Sequence, residues 1–242
     1  MKNFRTFLLS LMAVALLTPA TIKAQEEEAA EEAASPFSVG MDLVSSYIWR
    51  GTQVHGASLQ PYAAATFGGF EIGAWGAYEI AANWDGVPAE ADLYLSYGFD
   101  FGLSVGLTDY YYPGGAGWFE TSDTAGTHAF EINLGYEISG FTIAANYLLN
   151  EAGFAASDGS DLYFELGYSY KNLSAFIGAG NGWHTGEEAA GETPNDDGTF
   201  DDKFAIVNIG VTITTDSKFP VFGGIVLNPY TETFNVVAGI SF

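Results

Sequence analysis

Along residues 37–242 apolar side chains return at every second position, in short runs punctuated by Gly, Asn, Asp and Pro. A period of two belongs to a β-strand with one apolar and one polar face, and it leaves the chain few other ways to fold. Twelve runs are distinguishable: 37–50, 58–67, 70–80, 90–99, 101–111, 127–138, 141–150, 160–170, 173–180, 202–214, 219–227 and 231–242. Most suit a tilted strand, which crosses a hydrocarbon layer in about 9–11 residues. No apolar stretch approaches the ~18 residues of a membrane helix, and no helix-period segment interrupts the alternation. The pattern predicts an all-β fold: a transmembrane up-and-down antiparallel β-barrel of 12 strands over 37–242. Ten strands is the alternative, by loss of a weak pair such as 173–180 with 202–214.

The connections alternate in length. Gly68-Gly69, Asp100, Ser139-Gly140, Lys171-Asn172 and 215–218 are tight, and Gly, Asn and Asp supply the positive φ that tight hairpins need. The intervening connections, 51–57, 81–89, 112–126, 151–159 and 181–201, are longer, with 228–230 the exception. Short turns on one side and long loops on the other are the asymmetry of outer-membrane barrels. Aromatic residues gather at the short turns and termini: Phe37, Phe67, Phe70, Phe99, Phe101, Phe141, Phe219 and Phe242. They predict an aromatic girdle at the inner interface.

Parity sorts the faces. Ile72, Leu93, Leu95, Leu103, Val105, Leu107, Ile132, Leu134, Ile143, Leu166, Ile177, Val207, Ile209 and Val211 are expected outward. Asp42, Gln60, Glu71, Asp92, Glu131, Asn133, Glu137, Asn146, Glu165, Asn208 and Asn235 are expected inward, with many Gly and Ala that leave room. An outward charge near the midplane costs ~2–4 kcal/mol, and almost none is found on that face; Asp109 lies near a strand end. Pro61 within a run is anomalous, because it cannot donate to the ladder.

Residues 1–24 read as a signal peptide: Lys2 and Arg5, an apolar centre of 11 residues at 7–17, then Pro19 and a small residue at Ala24. Residues 25–36, QEEEAAEEAASP, read as an acidic disordered periplasmic leader. Cleavage leaves four basic residues against 30 acidic ones, a net charge of −26 that excludes nucleic-acid binding. There is no cysteine, hence no thiolate chemistry. The ending TFNVVAGISF resembles the C-terminal strand that the barrel-assembly machinery recognises. Expected partners are that machinery, outer-membrane lipid, lipopolysaccharide and small solutes, and the expected location is the Gram-negative outer membrane.

The stretch DLVSSYIWRG at 42–51, with the following QVHGASLQPYAAATFGGFEIGAWGAYE, resembles the TorF-like family of outer-membrane porins. Ser45, Tyr47, Trp49, Arg50 and Gly51 match its S-x-Y-x-F/W-R-G motif; the residues after Gly51 depart from its polar pattern. The resemblance implies a barrel and a pore, and names no solute. By parity Tyr47 and Trp49 belong to the outer aromatic girdle, and Arg50 points to the lumen or rim. There it either sets the field of a constriction or locks the first strand to the wall by a salt bridge.

The three histidines, His55, His128 and His184, fall in outer loops or at strand mouths, and no G-x-S-x-G occurs, so no enzyme is expected. The acids Glu187, Glu188, Glu192, Asp196, Asp197, Asp201 and Asp202 match no EF-hand spacing and read as a solvated loop; no metal or other cofactor is expected. Two functions remain. One is a porin allowing passive, cation-preferring diffusion, lined by Asp42, Arg50, Glu71, Asp92, Glu131, Glu137 and Glu165. The other is a closed structural or surface-binding barrel without a conducting pore.

Overall fold

The computed structural model describes residues 35–80, 89–113, 117–122, 126–151, 159–185 and 203–242. The signal peptide, the leader up to residue 34 and the acids from Glu187 to Asp202 lie outside the described residues. The strands are β1 (Phe37–Val44), β2 (Tyr47–Trp49), β3 (Thr52–His55), β4 (Ser58–Phe67), β5 (Phe70–Glu79), β6 (Ala89–Gly98) and β7 (Leu103–Tyr111). They continue with β8 (His128–Ile138), β9 (Phe141–Leu148), β10 (Leu162–Tyr170), β11 (Leu173–Gly180), β12 (Ala205–Thr214), β13 (Val221–Asn228) and β14 (Thr233–Ser241). Twelve of them close into a barrel in which every neighbour is antiparallel, and β2 and β3 form a separate ribbon. The expected count of twelve is therefore correct, including the pair β11 and β12.

The seam joins β1 to β14 through Asp42↔Ser241, Leu43↔Ile240 and Val44↔Gly239. At the turn end Met41 and Phe242 exchange backbone hydrogen bonds of 3.3 and 3.0 Å. Tight turns use the residues expected: Ser139 (φ 52) and Gly140 (φ 85) make a two-residue loop with both φ positive. Asp100 alone does not make the β6–β7 turn. It spans 99–102, closed by Phe99 N–H donating to the Leu103 carbonyl at 2.8 Å. Pro61 is absorbed by a gap in the ladder, which passes from Leu59↔Tyr78 to Tyr62↔Trp75.

The outer surface is apolar. Ile72, Leu93, Leu95, Val105, Ile132, Leu134, Ile143, Leu166, Ile177, Ile209 and Val211 are all exposed, and Leu103 and Leu107 half-buried. Val207 departs from its expected place and is fully buried. The β11–β12 register jumps from Gly178↔Asn208 to Ala179↔Ile206, so Val207 is the extra residue of a bulge. The bulge reverses parity and hands the outer position to Ile206.

The inner-face glycines do not leave the room their size implies. Tyr62 lies over Gly40, Tyr94 over Gly73, Phe176 over Gly210 and Phe222 over Gly239; a Cβ at any of these glycines would overlap the ring. In each case ring and glycine are direct cross-strand partners. The glycines let inward rings lie flat along the wall, which packs the pair and keeps the backbone close.

The run 37–50 is not one strand. β1 ends at Val44, where Ser45 N–H donates to the Ala238 carbonyl at 2.8 Å and Ser45 Oγ accepts from Ala238 N–H at 3.0 Å. The side chain thus takes the place of the next ladder acceptor, and the chain leaves the wall. It turns into the lumen as the hairpin β2–β3, with Trp49↔Thr52 paired and Arg50-Gly51 at its tip. Arg50 (φ 46) and Gly51 (φ 87) both lie in the left-handed region, as a type I′ turn demands.

A hairpin in the lumen as the candidate functional site

The hairpin crosses the barrel interior. On one side Tyr47 and Trp49 pack with Ala77, Tyr110, Tyr112, Ala129 and Leu148. On the other Ile48 packs with Val226, Val237 and Phe176. Tyr47 and Trp49 are 2% and 7% exposed, so they are not members of an outer girdle. The parity argument assumed a straight strand; the departure at Ser45 places both rings inside, and both faces of β2 are apolar because walls enclose both, while Thr52, Gln53 and Val54 of β3 stay exposed.

Arg50 is the hairpin's anchor. Its Nη1 and Nη2 donate to Glu131 Oε2 and Oε1 at 2.7 and 2.8 Å, a bidentate ion pair with both side chains buried. Its guanidinium lies 4.6 Å from the Trp49 ring and 4.5 Å from the Tyr163 ring. Glu131 Oε1 also accepts from Tyr110 Oη at 3.0 Å and Asn133 Nδ2 at 2.6 Å. Asn133 Nδ2 continues to Asn146 Oδ1 at 3.0 Å, and its Oδ1 accepts from Thr108 at 2.8 Å. Beyond Tyr163, its hydroxyl donates to Glu165 Oε2 at 2.5 Å, while Asn208 Nδ2 donates to both at 3.0 and 3.1 Å. The network runs around the wall from β7 to β12.

His184 closes the tip from above. It sits in a single 3₁₀ turn, Gly182–His184, with Nε2 3.4 Å from Arg50 Nη1. Burial, reinforced by the Arg50 charge, holds its imidazole well below the usual range, so it faces the guanidinium as a neutral ring. The Trp183 ring lies tilted against Trp49, with centroids 4.5 Å apart.

Of the residues expected in the lumen, Glu71, Asp92, Glu131 and Glu165 are buried on the inner face, while Asp42 and Glu137 are half-buried on that face. Glu71 Oε2 accepts from Thr66 at 3.0 Å. Arg50 and Glu131 are brought together, and Arg50 is the one buried Lys or Arg among the described residues. Sequence reasoning missed Glu90, Tyr110, Tyr112, Tyr163 and the whole hairpin. The hairpin had a signal: Arg50-Gly51 between the short runs Tyr47–Trp49 and Thr52–His55 is the spacing of a two-residue turn.

At the turn end Phe37, Phe67, Phe70, Phe101, Phe141, Phe219 and Phe242 are exposed, and Phe99 is half-buried. Neighbouring rings touch: Phe37–Phe67 at 6.4 Å, Phe99–Phe101 at 5.4 Å and Phe219–Phe242 at 6.0 Å.

A family model for bacterial proteins of unknown function, Gcw_chp, matches residues 28–224. The chain belongs to the Gcw_chp family. The match covers the hairpin, the bulge and all strands except part of β13 and all of β14. No curated protein matches. Among solved structures, the KdgM porin is similar at 10% identity, with 84% of this chain and 97% of that chain covered and a TM-score of 0.47. Engineered variants of a porin from Rhodopseudomonas blastica are similar too. One has 12% identity, with 76% of this chain and 55% of that chain covered and a TM-score of 0.42. Another has 11% identity, with 86% and 73% covered and a TM-score of 0.43.

Proposed function

We propose that this Gcw_chp barrel is an outer-membrane porin that passes small solutes by passive diffusion, with a preference for cations. One observation carries it: a closed barrel with an apolar outer face encloses Asp42, Glu71, Glu90, Asp92, Glu131, Glu137 and Glu165 against one buried Lys or Arg among the described residues. An apolar exterior of this extent is the surface of a protein solvated by lipid. Like charges behind a low-dielectric wall concentrate their field along the lumen and enrich cations. The resemblance of 42–51 to the TorF-like porins points the same way, as does the export signal read in residues 1–24. Lipid, lipopolysaccharide and the barrel-assembly machinery are the partners such a barrel requires.

In a potassium chloride gradient the wild type should give a cation-sided reversal potential. Neutralising Glu71 and Glu165 together, as Glu71→Gln and Glu165→Gln, should move it toward the non-selective value. The preference should weaken at molar salt, where the screening length falls from ~10 Å to ~3 Å. An anion-selective wild type in planar bilayers would overturn the cation preference.

The hairpin favours a second reading, the closed barrel without a conducting pore. Tyr47, Ile48, Trp49 and Arg50 fill the lumen at the level of the Glu131 network. The two readings separate on whether conductance appears when the hairpin is released.

A further inference from the structure

Parity puts Asp109 on the outward face of β7, and a partner meets it there: His128 Nδ1 lies 2.8 Å from Asp109 Oδ1. Both residues stand at the long-loop end of the wall, where Asp109 pairs with Phe130 and Tyr111 with His128 across the β7–β8 ladder. The same face of β8 continues through Ile132 and Leu134, both exposed. His128 is nevertheless 3% exposed. Its ring is stacked against Tyr111 and Phe130, with centroids 4.7 and 5.9 Å apart. Its backbone is pinned by Asn150, whose Nδ2 donates to the His128 carbonyl at 2.9 Å and whose Oδ1 accepts from Phe130 N–H at 2.8 Å.

What covers His128 is a turn from the loop between β7 and β8. His128 Nε2 donates to the Trp118 carbonyl at 2.7 Å, since a carbonyl can only accept. The Trp118 ring stands edge-on to His128 at 4.9 Å and to Tyr111 at 4.7 Å. Glu120 N–H donates to the Gly117 carbonyl at 2.8 Å, so 117–120 is one tight turn with Trp118 and Phe119 at its centre. Those positions ordinarily take Gly, Pro, Asn or Asp. Here they hold two aromatic residues, and Phe119, at 94%, is the most exposed large apolar side chain among the described residues.

We propose that the turn 117–120 is an interfacial anchor: Trp118 and Phe119 enter the acyl-chain boundary of the outer leaflet, and His128 fastens the turn to the outer wall. The anchor rests on the reading of the barrel as a membrane protein. Continuity selects lipid as the occupant, because Trp118 extends the outward row Tyr111, His128 and Phe130, which runs on into the apolar face at Ile132 and Leu134. Tryptophan favours the boundary between hydrocarbon and headgroups, and the exposed Glu120 beside the two rings holds the turn at that depth, since a charge is costly further in. The anchor also accounts for Asp109, whose carboxylate is paired with His128 and is not an isolated charge on the outer face. His128 is a positioning residue that acts through Trp118. Fastened on the outside, the turn stays off the mouth of the barrel.

Nitroxide labelling of the full chain in phosphatidylcholine vesicles tests the anchor, and the chain has no cysteine to interfere. Labels at Phe119→Cys and, on the outer wall, at Leu134→Cys should both collide with oxygen in preference to a water-soluble nickel chelate. His128→Phe keeps an aromatic ring and removes both hydrogen bonds. In that background the nickel-exposed fraction at 119 should rise about tenfold, as loss of a hydrogen bond to a charged group predicts, with position 134 unchanged. Asp109→Asn should give a smaller rise, and it is read instead if His128→Phe lacks the heat-modifiable mobility of a folded barrel. Nickel exposure at 119 with lipid exposure at 134 overturns the anchor alone. Nickel exposure at both positions overturns the membrane reading, and the anchor with it. An unchanged label at 119 in both variants overturns the role of His128. Spin–spin broadening between labels at 119 would make the occupant a second copy of this chain and overturn the assignment to lipid.

Discussion

Arg50→Ala should raise the conductance of the purified barrel in planar bilayers more than any other single substitution. Removing one partner of a buried ion pair costs roughly 3–5 kcal/mol, because the other charge stays enclosed and uncompensated. Here the loss falls on the hairpin, which Arg50 ties to Glu131 and to the Trp49 and Tyr163 rings. At about 1.4 kcal/mol per factor of ten, the docked population falls by roughly two to three orders of magnitude relative to the released one. Arg50→Lys should fall between, since an ammonium keeps the charge and loses the bidentate geometry. Arg50→Ala combined with Glu131→Ala should cost less than the two singles added, because no orphaned charge remains. Conductance of Arg50→Ala equal to wild type, with the barrel folded, would show that the hairpin does not limit the pore.

Gly51→Ala should have the next largest effect. Gly51 holds φ 87, and a Cβ there would overlap the Val207 carbonyl. The left-handed conformation alone costs an L-residue about 1–2 kcal/mol, and the overlap adds to it by pushing the tip off β12. Trypsin reads the outcome directly. Arg50 is 7% exposed in the docked hairpin and is therefore protected. In Gly51→Ala, cleavage after Arg50 in the folded barrel should accelerate roughly 10–100-fold, following the open population. Unchanged cleavage would mean that β12 yields at its bulge and the tip stays seated.

The barrel was legible in the sequence because each strand reports its two faces locally. Ile72, Leu95 and Leu134 point outward, and Glu71, Asp92 and Glu131 point inward, on nothing more than period two. Twelve strands followed from turn chemistry, and the β11–β12 pair that was weakest by pattern is hydrogen-bonded along both strands. The misreadings share one cause. Parity fails wherever the backbone gains a residue or leaves the sheet, and both happen here. The bulge turns Val207 inward, and the Ser45 cap sends Tyr47 and Trp49 inward. These two irregularities meet in space, since the tip glycine of the hairpin lies on the Val207 carbonyl. The glycine-rich inner face misled for a related reason: a small residue signals vacancy only if no neighbour leans over it, and the cross-strand ring is invisible to a one-strand reading. Glu131 was seen as lining and Arg50 as either field-setting or wall-locking. Only three-dimensional proximity selects the ion pair, because 81 residues separate them.

The hairpin is tethered at both of its ends. Ser45 is clamped to Ala238, while at the far side Gly56 N–H donates to Glu79 Oε1 at 3.1 Å and Ile80 N–H donates to the Ala57 carbonyl at 2.8 Å. Two fixed points define an axle, and a ribbon hung on an axle has a single rotation available to it. The tip can swing away from the wall, but the ribbon cannot slide along the barrel or retract gradually. Its contacts at the tip break together, since the ion pair, the ring contacts and the seat on Val207 all belong to four consecutive residues, 48–51. Current through single barrels should therefore change in discrete steps between two levels, with dwell times set by the tip and levels set by the wall.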